Sequence, residues 1–182
     1  MIANMCGRYV VSGDTFGIGA QDNFNVSPGA KVPVKTLNCD GQMVSWGLKK
    51  AWSGSKLIIN ARSETYLDKY LFRNSVKCIV PHNGWIEWAT DQNIKKPYYL
   101  YTDRPYFAGL LVEDKLIILT KQAESNISFI HNRQPVLINK YDVGDWFMGL
   151  NAFKDQDKIL FHEISKEINN PNHNNQKFLN PV

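Results

Sequence analysis

Short apolar or alternating runs recur along most of the chain and predict β-strands. Runs of about four to eight such residues, bounded by turn-forming residues, are typical of strands with one or both faces buried. They lie at residues 9–11, 32–37, 43–48, 76–80, 84–88, 98–101, 107–112 and 116–120. Asp40-Gly41 predicts a hairpin turn between the second and third runs, and Glu113-Asp114 predicts another between the last two.

Helical patterns are fewer than strand patterns. Ser63 is a candidate N-cap for one helix, and residues 141–150 hold the apolar spacing of a second around Trp146 and Phe147. The first helix would present an apolar face made of Tyr66, Leu67, Tyr70 and Leu71. The polar stretch 169–175 predicts a long loop, after which residues 178–182 dock on the body. With no repeat or linker, the pattern predicts one α+β domain over residues 1–182, dominated by sheet.

Composition narrows the class of protein. The 182 residues are 43% hydrophobic and 21% charged, which fits a globular domain and excludes disordered and fibrous classes. The chain has no leader pattern and no apolar stretch near the ~18 residues of a membrane span, so we expect a cytoplasmic protein with no membrane association. Cys6, Cys39 and Cys78 have neither disulfide-framework nor zinc spacing, and we expect no metal and no cofactor.

The charge is unevenly distributed along the chain. Residues 1–141 hold 17 Lys and Arg against 11 Asp and Glu, whereas the remainder holds 4 against 6, which together give the net charge of +4. The basic excess supports nucleic-acid binding only weakly, because a mild excess is an ordinary solubility feature. Five Trp residues add surfaces on which bases could stack.

Cys6 follows Met5 directly, and this gives it unusual chemistry. If the mature chain begins after Met5, Cys6 carries an α-amine and a thiol on adjacent carbons, a pair that condenses with an aldehyde to a thiazolidine ring. Both groups titrate near pH ~8, so modest tuning leaves both reactive at neutral pH. The alternative is that Cys6 is a small buried residue of the first strand. With residues 1–4 attached, Cys6 has an amide in place of the amine.

Three further polar positions interrupt apolar runs. Asn60 and Arg62 share one face of a strand end and can address one ligand, although an Asn there also commonly satisfies backbone groups. Glu87 lies between Trp85 and Trp88; it is either a desolvated general acid or base or the outward residue of an amphipathic strand. His131 ends an apolar stretch and is either an acid/base imidazole or a structural residue.

In order along the chain, these residues resemble the motifs of the SOS-response-associated peptidase (SRAP) family of abasic-site processing proteins. The matching segments are residues 5–9 (Met-Cys-Gly-Arg-Tyr), 24–29 around Asn25, Pro28 and Gly29, Trp46-Gly47, 59–65 (Ile-Asn-Ala-Arg-Ser-Glu-Thr), 84–88 (Gly-Trp-Ile-Glu-Trp) and 130–135 (Ile-His-Asn-Arg-Gln-Pro). Six ordered matches over nearly the whole chain are hard to produce by chance. The resemblance implies a single domain with a curved, barrel-like mixed sheet, a few helices and a groove for single-stranded DNA.

The resemblance also implies a mechanism. Cys6 would form a thiazolidine with the aldehyde of an abasic site, after autoproteolysis or an aminopeptidase removes residues 1–5. Asn60 would position the amine, Glu87 would shuttle protons, and His131 would assist opening of the sugar. An imine intermediate further implies AP-lyase activity, since it permits β-elimination.

For binding, the resemblance implies phosphate contacts at Arg8 and Arg62, a groove wall at Pro28 and a stacking residue at Trp52. The expected partners are single-stranded DNA with abasic sites and, at replication forks, replication proteins; we expect a monomer that associates with the nucleoid on DNA. Two other functions stay open at this point: a thiol peptidase that uses Cys6 and His131, and a non-covalent single-stranded DNA module.

Overall fold

Strands dominate the structure, a computed structural model that describes residues 7–150 and 157–182. The strands are β1 (Arg8–Val11), β2 (Asn23–Val26), β3 (Lys31–Thr36), β4 (Cys39–Trp46), β5 (Asn60–Arg62), β6 (Val76–Pro81), β7 (Gly84–Asp91), β8 (Ile94–Tyr101), β9 (Tyr106–Val112), β10 (Lys115–Gln122), β11 (Arg133–Pro135), β12 (Leu137–Ile138) and β13 (Leu160–Glu163). The helix α1 spans Val143–Met148, and short 3-10 helices span Ala51–Ser53, Tyr66–Asp68, Tyr70–Phe72, Lys166–Asn169 and Gln176–Leu179. Helix α1 has six residues, and within the two described ranges no helix reaches the length and hydropathy of a membrane span.

The strands form two sheets. The first is antiparallel and has the order β13-β8-β7-β1-β2. The second has the order β11-β10-β4-β3-β6-β9-β12, and an additional pairing of β9 with β10 closes its central strands into a ring. Strands β4 and β5 both run parallel to β10, so the ring is mixed. The expected α+β fold with a curved, barrel-like mixed sheet is therefore confirmed.

Each of the eight apolar runs that predicted a strand forms one, which confirms that part of the sequence analysis. The turn at Glu113-Asp114 is also confirmed: both residues have positive φ, 50° and 57°, as the tight hairpin between β9 and β10 requires.

The prediction of a hairpin turn at Asp40-Gly41 is wrong. Thr36 pairs with Cys39, so the turn falls on residues 37–38 and Gly41 lies inside β4. A β-carbon at Gly41 would lie 2.8 Å from Phe16 Cβ, so this glycine is needed where the loop before β2 packs on the strand.

The prediction of a helix with Ser63 as its N-cap is wrong as well. Residues 66–72 form two 3-10 helices, in which Tyr66 and Phe72 are buried while Leu67 and Tyr70 are 74% and 83% exposed. The apolar residues therefore do not share one face. In contrast, α1 confirms the helix predicted within residues 141–150, and Trp146 is its buried residue.

Aromatic side chains join the two sheets. Tyr9 of β1 is fully buried and contacts Trp46 and Phe107 of the ring edge-on, with ring centroids 5.3 and 5.6 Å apart. Trp85 of β7 contacts Phe107 in the same way at 6.2 Å. His82 stacks on Phe107 at 3.7 Å, and burial lowers the pKa of its imidazole to about 3, so His82 is a neutral part of this core.

The C-terminal segment packs on the first sheet. Ile164 bridges to Pro181, Leu179 is buried, and His162 Nε2 lies 2.7 Å from the Leu179 carbonyl oxygen. The polar loop and the docked end predicted for this segment are confirmed.

Close packing of the ring predicts the effect of one substitution. A β-carbon at Gly109 of β9 would lie 2.8 Å from both Cys78 Sγ and Leu116 Cδ1, which are held by the neighbouring strands. We expect Gly109→Ala to lower the free energy of unfolding by about 1–3 kcal/mol, measured by urea denaturation, because the core must shift to admit the methyl group.

Gly144→Ala is the matched control. A β-carbon there meets nothing within 4 Å, and helix α1 favours alanine, so we expect no loss of stability. Equal stability of the two variants would contradict the packing described for Gly109.

Candidate functional site

A cleft of about 640 Å³ brings together segments that are far apart in the sequence. Its walls include Gly7, Arg8, Pro28, Glu87, Lys95 and His131. With Ile59, which also lines it, residues from five of the six motifs that the sequence analysis singled out meet in this cleft. Within residues 7–150 and 157–182, no group of three or more His, Cys, Asp or Glu side chains could hold a metal ion.

Gly7 brings the N-terminal segment to the cleft. It precedes β1, a central strand that pairs with β7 through Arg8 and Ile86 and with β2 through Tyr9 and Val26. Cys6 and residues 1–5 lie outside the described residues. Cys6 precedes Gly7 directly in the sequence, and Gly7 lines the cleft.

Glu87 lines the cleft from the middle of β7 and is only 4% exposed. The alternative that it is the outward residue of an amphipathic strand is therefore wrong. Tyr98 of β8 is its direct cross-strand neighbour, on the same face of the sheet. A carboxyl group buried in this way can exchange protons with a bound molecule while bulk water is largely excluded.

His131 lines the same cleft from the turn-rich segment 123–132 that follows β10. Its Nδ1 accepts a hydrogen bond from the Arg133 backbone N–H at 3.1 Å and lies 3.2 Å from the Arg133 carbonyl oxygen. With Nδ1 held by the backbone, Nε2 is the nitrogen left for a proton exchange in the cleft.

Asn60 begins β5 and is half-buried. Its Nδ2 makes a long hydrogen bond of 3.4 Å to the Ile118 carbonyl oxygen, while its buried Oδ1 has no partner among the residues that the structure describes. Trp46 Nε1 donates to the Ile59 carbonyl oxygen at 3.1 Å and so fixes the start of β5. The cleft wall itself contains Ile59 and does not include Asn60.

Arg8 is held in place by Asn25. Arg8 Nη1 donates to Asn25 Oδ1 at 2.7 Å, and Asn25 Nδ2 lies 3.0–3.3 Å from the carbonyl oxygens of Ile168, Asn170 and His173. Asn25 is only 2% exposed. Burial lowers the pKa of the Arg8 guanidinium, which nevertheless stays charged at neutral pH. This buried amide therefore connects the first strand to the C-terminal segment.

The other predicted DNA contacts lie at different places. Pro28 is in the cleft wall. Trp52 is 69% exposed and Arg62 is exposed at the end of β5, but neither belongs to that wall.

Lys95 is a wall residue that the sequence analysis missed. It is exposed, pairs across the β7–β8 hairpin with Thr90, and forms no salt bridge with a described residue. A lysine in a hairpin is ordinary in a sequence, and only the strand register brings this one to the cleft.

An ion pair joins two of the motifs. Arg133 donates from both terminal nitrogens to the Glu64 carboxylate, at 2.6 and 2.8 Å, and also to the Thr120 carbonyl oxygen at 2.6 Å. The bidentate pair lowers the pKa of Glu64 to about 2. Because the Arg133 backbone holds His131, the pair connects the segment after β5 to the candidate imidazole.

The family model for the SOS response associated peptidase (SRAP) matches residues 5–171. The chain belongs to the SRAP family. Its relatives include abasic site processing protein YedK of Escherichia coli (strain K12), which is 23% identical over 98% of this chain and 100% of its own length. Another is abasic site processing protein HMCES of Xenopus tropicalis, 24% identical over 85% of this chain and 64% of its own length.

Two solved structures share the fold of this chain. A protein from Bacteroides thetaiotaomicron has a TM-score of 0.73 and 21% identity, and covers 89% of this chain and 86% of its own. A protein from Bordetella bronchiseptica has a TM-score of 0.71 and 18% identity, and the match covers 88% of this chain and 100% of that protein's chain. These likenesses concern the fold alone.

In this SRAP domain the Glu64–Arg133 pair predicts a pH-dependent stability. The folded pKa of Glu64 lies below its ordinary value of 4.5, so the stabilisation is complete above that pH and is lost as the pH falls from 4.5 toward 2. We expect Glu64→Gln to lower the free energy of unfolding at pH 7 by about 1 kcal/mol, a value discounted because the Glu64 side chain is 48% exposed.

Urea denaturation across this pH range measures the difference between the wild type and Glu64→Gln. The difference should shrink on acidification, whereas Glu167→Gln, at an exposed carboxylate with no salt bridge among the described residues, should match the wild type throughout. A pH-independent difference for Glu64→Gln would contradict the ion-pair explanation.

Proposed function

We propose that this protein processes abasic sites in single-stranded DNA by attaching itself covalently to the lesion through Cys6. The observation that supports this most directly is that Glu87 and His131 line the same cleft as Gly7, the residue bonded to Cys6. The names of its relatives, abasic site processing proteins, support the choice of lesion.

The chemistry follows from an aminothiol that meets an aldehyde. The α-amine of Cys6 adds to C1 of the ring-opened deoxyribose, and loss of one water gives an imine. The Cys6 thiolate then adds to the imine carbon, and the nitrogen takes up a proton to complete the thiazolidine. The overall reaction joins protein and DNA with the release of one water and needs no oxidant or cofactor.

Glu87 and His131 in the cleft wall, and Asn60 next to the wall residue Ile59, have distinct parts in these steps. Glu87 donates a proton to the departing hydroxyl and accepts one from the attacking groups, a role that suits a carboxyl group with 4% exposure. Asn60 offers its unpartnered buried Oδ1 as the acceptor for the α-amine. His131, with Nδ1 fixed by Arg133, uses Nε2 to assist opening of the sugar ring.

The amine must be exposed before it can react. Hydrolysis of the bond between Met5 and Cys6, by the protein itself or by an aminopeptidase, would release residues 1–5 and create it. The same thiol and His131 that a peptidase would use could carry out this single self-cleavage. The imine stage also allows AP-lyase activity, because it makes the neighbouring C2 proton acidic and permits β-elimination of the 3′ phosphate.

DNA contacts arise from the walls and surroundings of the cleft. Lys95 and Arg8 line it and can meet phosphates, and Pro28 forms a further part of its wall. Arg62 and Trp52 are exposed outside the cleft, where they can contact a strand on its way in or out. Phosphate contacts of this kind select for strand geometry and carry no base sequence preference.

The covalent step predicts a defined adduct. Mature protein that begins at Cys6, incubated with single-stranded DNA that holds one abasic site, should give a species stable to heat and denaturant. Its intact mass should equal the sum of the two reactants less one water. Intact-mass measurement before incubation also shows whether residues 1–5 have been removed.

Two cysteine variants test the assignment. Cys6→Ser keeps an amine but cannot close the sulfur ring, so we expect it to lose the stable adduct. Cys39→Ser changes a half-buried thiol elsewhere, on β4, and should form the adduct as the wild type does. Absence of an adduct with protein whose Cys6 terminus has been verified would refute the proposed function.

We expect Lys95 to contribute measurably to the affinity for DNA. Binding can be followed without cross-linking on a strand that carries a tetrahydrofuran abasic analogue, which has no aldehyde. We expect Lys95→Gln to reduce the salt dependence, with the slope of log K against log salt changing by about 0.7, because one fewer phosphate is neutralised.

Lys35→Gln is the control for net charge. Lys35 lies on β3 and pairs with Asp40 at 2.7 Å, outside the cleft wall, so its loss should leave the salt slope unchanged. Equal slopes for the wild type and Lys95→Gln would show that Lys95 does not meet a phosphate.

A further inference from the structure

Phe129 is an exposed aromatic residue with a rigid support. Its ring is 58% exposed and contacts Phe161 and Tyr98 edge-on, with centroids 5.4 and 5.9 Å away. Tyr98 and Phe161 also contact each other edge-on at 6.2 Å. The three aromatic rings thus pack against one another edge-on, and Phe129 is the one exposed to solvent.

The backbone around Phe129 is anchored to the core. Ile127 and Ile130 are 2% and 4% exposed, and the Ile130 N–H donates to the Ile127 carbonyl oxygen at 2.9 Å. The segment therefore buries the two apolar residues that flank Ser128 and Phe129 while Phe129 stays outside. A large apolar side chain held in water in this way is informative where it adjoins a candidate site.

Phe129 is not itself a residue of the cleft wall, but two connections link it to that wall. It precedes His131 by two residues, and Tyr98, which its ring contacts, is the cross-strand neighbour of Glu87 on the same sheet face. His131 and Glu87 both line the cleft. The exposed ring is therefore outside the cleft wall, one aromatic contact from the strand neighbour of Glu87 and two residues along the chain from His131.

We propose that Phe129 is a stacking surface for the nucleobase next to the abasic site. This inference rests on the proposed function, since it requires the lesion to enter the cleft. An abasic nucleotide has no base, so the flanking base loses one stacking neighbour, and an aromatic ring beside the cleft can replace it. Every nucleobase has a π-face, so the contact favours strand and lesion geometry over sequence.

A fluorescent base provides the test. Single-stranded DNA carries 2-aminopurine directly beside the tetrahydrofuran abasic analogue, on the 5′ side in one strand and on the 3′ side in another. Binding to the full chain should quench the fluorescence of one of the two strands, since stacking quenches 2-aminopurine. Because the analogue has no aldehyde, this measurement does not depend on the covalent step.

Two variants separate stacking from simple apolar contact. Phe129→Trp keeps an aromatic face and should retain the quenching, whereas Phe129→Leu keeps an apolar side chain and should lose it. We expect Phe129→Leu to weaken binding roughly 5- to 150-fold, the range for loss of one base–aromatic stack. Tyr141→Ala removes an aromatic residue that is 80% exposed outside the cleft wall and should change neither quantity.

The outcomes distinguish this inference from the proposed function. If the wild type forms the adduct on natural abasic DNA but Phe129→Leu binds and quenches as the wild type does, the stacking role is refuted and the cross-linking stands. If quenching depends on Phe129 but no adduct forms with a verified Cys6 terminus, the stacking role stands and the covalent function fails. Thermal unfolding of each variant shows whether a loss of binding reflects a loss of fold.

Discussion

Burial of Tyr9 between the two sheets is the constraint on which the candidate site depends. Chain ends ordinarily fray, because few contacts hold their backbone. Here the first described strand lies inside a sheet, between β7 and β2, and Tyr9 is fully buried against Trp46 and Phe107. Gly7 is fixed as a result. A reactive group at a terminus can use oriented neighbours only if the backbone beside it is fixed in this way.

The cleft is assembled from long-range contacts. Its wall draws on the first strand, the β7–β8 hairpin, the segment before β11 and Asn169 near the C-terminus. Asn25 joins two of these parts, since it binds Arg8 with its oxygen and three C-terminal carbonyl groups with its nitrogen. No local segment contains the site, and the geometry therefore exists only when the whole domain is folded.

The strands were predictable because sheet burial leaves an alternating pattern, and the motif order was sufficient to locate Glu87 and His131 as candidates. The errors have physical reasons. Gly41 suggested a turn, but it serves a close approach by Phe16, and the residues after Ser63 bury Tyr66 and Phe72 through 3-10 helices with a different spacing. The sequence pattern did not identify Lys95 or Phe129 as residues near the site, because their positions depend on strand register and on which side chains of a turn are buried.

The cations around the cleft divide into two kinds. Arg8 and Arg133 are already bound to protein acceptors, Asn25 in one case and Glu64 with Thr120 in the other, so they shape the site before any ligand arrives. Lys95 and Arg62 are exposed and form no salt bridge with a described residue, so they are available to attract a charged strand through solvent. Bound cations preorganise the cleft at little cost when a ligand enters, whereas exposed ones supply an attraction that salt screens. If the proposed function holds, orientation at the lesion and recruitment of the strand depend on different cations and can vary independently.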